Sequence, residues 1–149
     1  MLEHDEICEL IPHAGDMCLL DSVQEWDESS ITCISLAHHN KDNPLRNENG
    51  LPMSSLVEFG AQAMAIHGCL LAEKEDIGMV EGYLGALRDV QFSEGWLSDI
   101  EDALEIYAER LFADAGNMIY IMRIKAQGKI LANGRATVIS KFSERVNKI

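Results

Sequence analysis

At 149 residues the chain is long enough to bury one core without staples, and it reads as a single domain. Its formal net charge of −13 argues against nucleic acid as a partner, because neutralising phosphates takes a basic surface. The opening MLEHDEICEL is acidic where a secretory signal would be basic and then apolar. Cys8, Cys18, Cys33 and Cys69 show no short pairing, so they read as reduced, packed thiols in a cytoplasmic protein.

In chain order, Ile11 to Val23 (IPHAGDMCLLDSV) reads as a Pro-His-Ala-Gly turn and a short apolar strand ending at Asp21. Ser30 to Ala37 is rich in β-branched residues and reads as a strand. His38 to Gly50 (HHNKDNPLRNENG) is a polar loop. His38 and His39 are adjacent, which points them apart on a strand, and no second ligand pair has finger-like spacing; no metal site is expected.

Leu51 to Ala72 follows, 22 residues with one formal charge, Glu58. Pro52 opens this stretch, and Ser54 or Ser55 can cap it. Apolar residues occupy nearly every face, which predicts a helix enclosed by other structure. Pro52, Glu58, Gln62 and His67 argue against a membrane span, since polar side chains are costly in lipid. Glu73 to Asp76 ends the helix with charges, and Gly82 to Phe92 is a strand whose glycines mark bulges or close approach.

Ala103 to Asp114, Asn117 to Gln127 and Lys129 to Ser140 form a meander joined by tight turns. Alternation turns Met118, Tyr120, Met122, Ile124 and Ala126 to one face. On the next strand Ile130, Ala132, Gly134, Ala136 and Val138 face in, and the small residues would let the helix approach closely. The architecture is α+β, an antiparallel sheet wrapped around one long central helix. Charge is segregated along the chain: residues 1–60 hold twelve acids against Lys41 and Arg46, while residues 120–149 are net basic. Arg123, Lys125, Lys129 and Arg135 therefore make a local basic face that could receive an acidic partner.

These stretches together resemble the hotdog fold, and most closely its 3-hydroxyacyl-[acyl-carrier-protein] dehydratases, including the aryl-polyene branch. IPHAGDMCLLDSV is similar to that family's Leu-Pro-His…Leu-Leu-Asp-Arg-Val opening, and NPLRNENGLPMSSLVEFGAQAMAIHG to its loop, Pro and Glu-x-x-x-Gln helix. GYLGALRDVQF resembles its Gly-Phe-Leu…Val-x-Phe strand. The resemblance implies action on acyl thioesters held by acyl carrier protein or coenzyme A. It also implies a homodimer or a pairing with a related dehydratase subunit, and no cofactor.

Eliminating water from a 3-hydroxyacyl thioester takes a base for the carbon-2 proton, an acid for the departing hydroxyl, and donors for the enolate oxygen. Glu58 suits the acid, because an apolar surround favours a neutral, proton-donating carboxyl. Gln62, one turn on, could hold it in place. The N–H groups near Met53 and Ser54, at the helix start, suit the oxyanion. The base departs from the family pattern: the expected histidine position, fourteen residues before the acid, is Pro44, and Asn43 precedes it. An amide binds no proton near neutral pH. His39, with His38 beside it, is the nearest imidazole, His13 is another source, and His67 reads as packed core.

A second reading is a thioesterase, because some hotdog thioesterases resemble Asn43 and Glu58 in pairing a loop Asn with an acid fifteen residues on. Asn43 and Glu58 would then orient and activate a water, and the Met53 N–H would polarise the carbonyl. A third is a catalytically silent partner of an active dehydratase.

Overall fold

Seven strands form one antiparallel sheet around a 19-residue helix, among the residues described by this computed structural model. Those residues are 1–11, 15–75 and 77–144, with side chains at 1–11, 15–75 and 84–139. The elements are β1 (Leu2–Glu3), α1 (His4–Leu10), β2 (Ser22–Trp26), β3 (Ser30–Ser35), α2 (Leu56–Lys74), β4 (Ile77–Phe92), β5 (Leu104–Asp114), β6 (Asn117–Ala126) and β7 (Lys129–Glu144). Their order across the sheet is β1-β2-β3-β5-β6-β7-β4. Strand β4 is thus an edge, although it precedes β5 in the chain.

The expected meander is present as β5-β6-β7. Its turns are Ala115-Gly116 and Gln127-Gly128, all four with positive φ, the backbone of a two-residue hairpin that matches strand twist. Met118, Tyr120, Met122, Ile124 and Ala126 are all buried, as their alternation predicts. Ile130 is not: it is 44% exposed, and Leu131 is buried in its stead. The cause is a register shift, since Ile124 pairs with Ala132 but Lys125 with Ile130, leaving Leu131 as an extra residue that reverses the alternation.

Helix α2 carries the core. Twelve of its residues are buried, among them Leu56, Phe59 and Ile66 with no exposure. Each contributes on the order of 2 kcal/mol of apolar burial. By length and composition the helix could cross a membrane, but most of it is buried within the fold. The close approach expected from β7 comes instead from the helix side. A Cβ at Gly60 would lie against the sulfur of Met122, whereas one at Gly134 would meet Val90 on β4. The serine caps are also absent in the expected form. Ser55 has helical dihedrals (φ −58°, ψ −23°) and makes no side-chain cap bond. The helix continues from a 3-10 turn over Met53–Ser55, whose carbonyls accept from Leu56 N–H.

The N-terminal region departs most from expectation. Residues 4–10 form a helix, where no element was expected, with Asp5 and Glu6 in its first turn, where the helix dipole favours acids. The strand expected to end at Asp21 instead begins at Ser22. Cys18, Leu19 and Leu20 before it are buried without being part of the ladder. Cys8 and Cys18 are joined in a disulfide, so the expectation of four reduced thiols is corrected for this pair. The reason is α1 itself, which folds back and carries Cys8 to Cys18. Cys33 and Cys69 are free and buried, and burial pushes their thiols up to about 12 and about 11. Pro12, His13 and Ala14 of the expected turn lie outside the described residues.

Candidate active site

Glu58 lies in the first turn of α2 and is half-buried rather than enclosed. It belongs to the stripe Val57, Glu58, Ala61 and Ala65, which the fold covers only in part. Four residues on, Gln62 is fully buried and makes three hydrogen bonds. Its amide NH2 donates to Glu58 Oε1 (3.2 Å) and to Met17 O (2.7 Å), and its Oε1 accepts from Leu19 N–H (2.9 Å). The expected orienting role of Gln62 therefore has a physical basis: one amide fastens the carboxyl to the 17–19 segment. Ser35 Oγ donates to Leu19 O and anchors that segment to β3.

Met53 and Ser54 lie in the turn that opens α2, Met53 buried and Ser54 exposed. Glu58 is at the start of the same helix, so carboxyl and helix-start amides share one end of the core.

Asn43 is buried, and its amide works within its own loop. Nδ2 donates to Ala37 O (2.9 Å) and Oδ1 accepts from Leu45 N–H (2.9 Å). Arg46 reinforces the loop by donating to Asn40 O and His38 O. His39 is exposed, and its Nε2 donates to Ile100 O (2.8 Å). The His38 ring lies 4.0 Å from it between centroids with the planes tilted by 43°, has no exposure, and has no hydrogen-bond partner for either ring nitrogen among the described residues. Burial, followed by the neighbouring His39, pushes the His38 imidazole down to about 4.

The sign of the resulting pH dependence follows directly. In the unfolded chain His38 takes a proton near pH 6.5, while in the folded chain it resists until about 4. Between these values the unfolded state binds more protons, so stability present above pH 6.5 is lost as pH falls towards 4. Urea melts at pH 7 and pH 4.5 should differ by up to about 3 kcal/mol more in the native chain than in His38→Leu. Equal pH dependence in the two proteins would show that His38 is not the group responsible.

His67, expected as packed core, has no exposure and is fully bonded. Its Nε2 donates to Asp27 O (2.8 Å), which leaves Nδ1 to accept from the Tyr120 hydroxyl (2.6 Å). Burial holds this imidazole below its usual range, so it is a neutral strut on the side of α2 away from Glu58.

Arg123, Lys125 and Arg135 stand on the outer sheet face, whereas the bulge turns Lys129, expected to face out with them, to the other side opposite Ala126. Arg123, Lys129 and Arg135 are exposed, and Lys125 is half-exposed opposite Glu105. The Arg123 guanidinium lies 5.5 Å from the centre of the Tyr107 ring, its cross-strand neighbour. Arg135 stands directly opposite Arg88 of β4.

An antiparallel sheet wrapped on one long helix, with a carboxyl near the helix start, defines a hotdog-fold protein, and solved structures of that fold match it. The chain belongs to the ApeP-like dehydratase family, whose model, ApeP dehydratase, matches residues 5–147. Among similar structures is the dehydratase heterocomplex ApeI:P from Xenorhabdus doucetiae, with a TM-score of 0.81 and 23% identity over 95% of this chain and 92% of that one. The E. coli PaaI protein of the phenylacetic acid degradation operon matches with a TM-score of 0.63 and 13% identity, covering 91% of this chain and 88% of that one. A mutant of the thioesterase SAV0944 from Staphylococcus aureus matches at 0.61 and 12%, covering 80% and 92%. No match was found among curated protein sequences.

Proposed function

We propose that the chain is one subunit of a two-subunit dehydratase that eliminates water from a 3-hydroxyacyl thioester on an acyl carrier protein. The observation that carries this reading is the Glu58–Gln62 pair on the partly covered stripe of α2. Glu58 protonates the departing hydroxyl, Gln62 fixes its carboxyl, and the amides near Met53 and Ser54 stabilise the enolate oxygen. The carbon-2 base comes from the second subunit, because among the described candidates Asn43 binds no proton, His39 is bonded to Ile100 O and His38 is wholly buried. The neighbour from Xenorhabdus doucetiae, itself named a dehydratase heterocomplex, supports such a pairing.

The second subunit seats on β4. This strand is a sheet edge whose Leu84, Leu87 and Phe92 are 37%, 40% and 40% exposed, and an open apolar edge invites pairing. The acidic carrier meets Arg123, Lys125 and Arg135. The like-charge pair Arg88–Arg135 is unfavourable alone and is relieved by an acidic surface.

The test is to incubate a 3-hydroxyacyl carrier-protein thioester with the chain alone and with a related dehydratase subunit, following enoyl product by mass spectrometry. The mixture should form enoyl thioester at least about a hundredfold faster than either subunit, in the range of losing or gaining one acid–base group. The two chains should also sediment as one species. Hydrolysis to free acid by the chain alone would favour the thioesterase reading. Self-association without any complex, and no gain on mixing, would leave a homodimer and sink the two-subunit proposal.

A further inference from the structure

His4 and Cys8 stand four residues apart on one face of α1, and the fold brings Cys18 against them. The imidazole nitrogen and both sulfurs lie within 4.8 Å of one another. His4 Nδ1 is 2.8 Å from Leu20 O, and a carbonyl oxygen only accepts, so Nδ1 carries the ring proton. The Nε2 lone pair is therefore the one directed at Cys8 Sγ, 3.4 Å away. A disulfide sulfur has no hydrogen to donate, so that lone pair meets no donor on Cys8 in the bonded state. A metal-ligating histidine is held this way, its outer N–H fixed by a backbone carbonyl and its inner nitrogen aimed at the ion. The Asp21 carboxylate, 3.9 Å from Nδ1, adds negative charge behind the ring.

We propose that His4, Cys8 and Cys18 form a metal site in the reduced chain, and that the Cys8–Cys18 bond is the oxidised, metal-free state of the same cluster. Two thiolates and one imidazole select a zinc-class divalent ion, and three protein ligands leave the fourth tetrahedral position to water. A dithiol reductant opens the site. Its two electrons and two protons pass to Cys8 and Cys18 as the S–S bond breaks, and it closes its own disulfide. The ion then displaces the two thiol protons to solvent.

The position gives the site a consequence. Cys18 lies between Met17 O and Leu19 N, the two backbone atoms held by Gln62. Either cross-link, sulfur to sulfur or through the ion, ties α1 to the segment against which Gln62 holds Glu58.

The test uses the full-length chain, reduced under argon and titrated with Co2+ as a spectroscopic probe, then with Zn2+ in competition. One equivalent should bind with a thiolate-to-cobalt charge-transfer band and intense tetrahedral ligand-field bands, and zinc should displace it. The disulfide form should give neither band. Cys8→Ser should abolish the charge-transfer band, and His4→Ala should weaken binding at least about tenfold. Both positions are partly exposed on α1, so these variants carry the test even if Cys18→Ser fails to fold. A reduced chain without the charge-transfer band would overturn the proposal, as would a Cys8→Ser chain that binds like the native one.

Discussion

Glu58→Gln is expected to lower enoyl-thioester formation by the proposed two-subunit dehydratase about two to four orders of magnitude, the usual size for removing a positioned acid–base group. The substitution keeps side-chain shape, and the new amide oxygen can still accept from Gln62 Nε2. It cannot deliver a proton to the departing hydroxyl. Assembly should be unaffected, since Glu58 lies on α2 and the proposed subunit contact is along β4. Sedimentation of the variant with its partner subunit checks this independently of turnover. A rate within about threefold of the native assembly would mean that the reaction does not draw its acid from this helix.

Gln62→Leu should cost folding stability on the order of 3 kcal/mol, read from urea melts with the native protein as reference. The volume is nearly conserved, so a cavity is not the cause. The cost arises because Leu19 N–H, in a residue with no exposure, loses its acceptor, and Met17 O loses a donor. Each buried group left without a partner costs about 1–3 kcal/mol, a large share of the roughly 5–15 kcal/mol that holds a domain folded. Turnover should fall as well, by less than in Glu58→Gln, because the carboxyl stays but loses its fixed orientation. Exposure of residues 15–21 to hydrogen exchange should rise in step. A variant as stable as the native chain would show that the 17–19 segment is held by other contacts, with Gln62 incidental to it.

The sheet-around-a-helix plan was legible because its signals are local and repeated. The run Leu51–Ala72 is apolar on nearly every face yet carries Glu58, Gln62 and His67, which marks an interior helix, and β6 alternates without interruption. Family membership was legible from motifs distributed between Ile11 and Phe92. What escaped depends on contacts distant in sequence. A seven-residue helix such as α1 has too few turns to build a periodic pattern, and without that helix nothing brings Cys8 to Cys18. The bulge that turns Ile130 outward arises from pairing with β6, which a single strand's alternation cannot encode. At the site, the Glu58–Gln62 spacing was readable as one helical turn, but the hold on Met17 and Leu19 was not. Asn43 looked free to orient a water because a loop sequence does not reveal which backbone groups its amide caps. Adjacent residues such as His38 and His39 point apart on a strand, but a 3-10 turn here brings their tilted rings together.

The sheet order also sets a timetable for the ribosome. Strand β4 is synthesised before β5, yet among the described residues its strand partner is β7, the last of the seven in chain order. Until β7 emerges, β4 can pack on α2 but both of its strand edges are unpaired. The helix and the first three strands can assemble during synthesis, as N-terminal segments do. Strand β4 cannot, because it has no place in the sheet until β7 is made. Unpaired strand edges invite association, so chains with β4 made and β7 still to come are the ones most prone to join through half-built sheets.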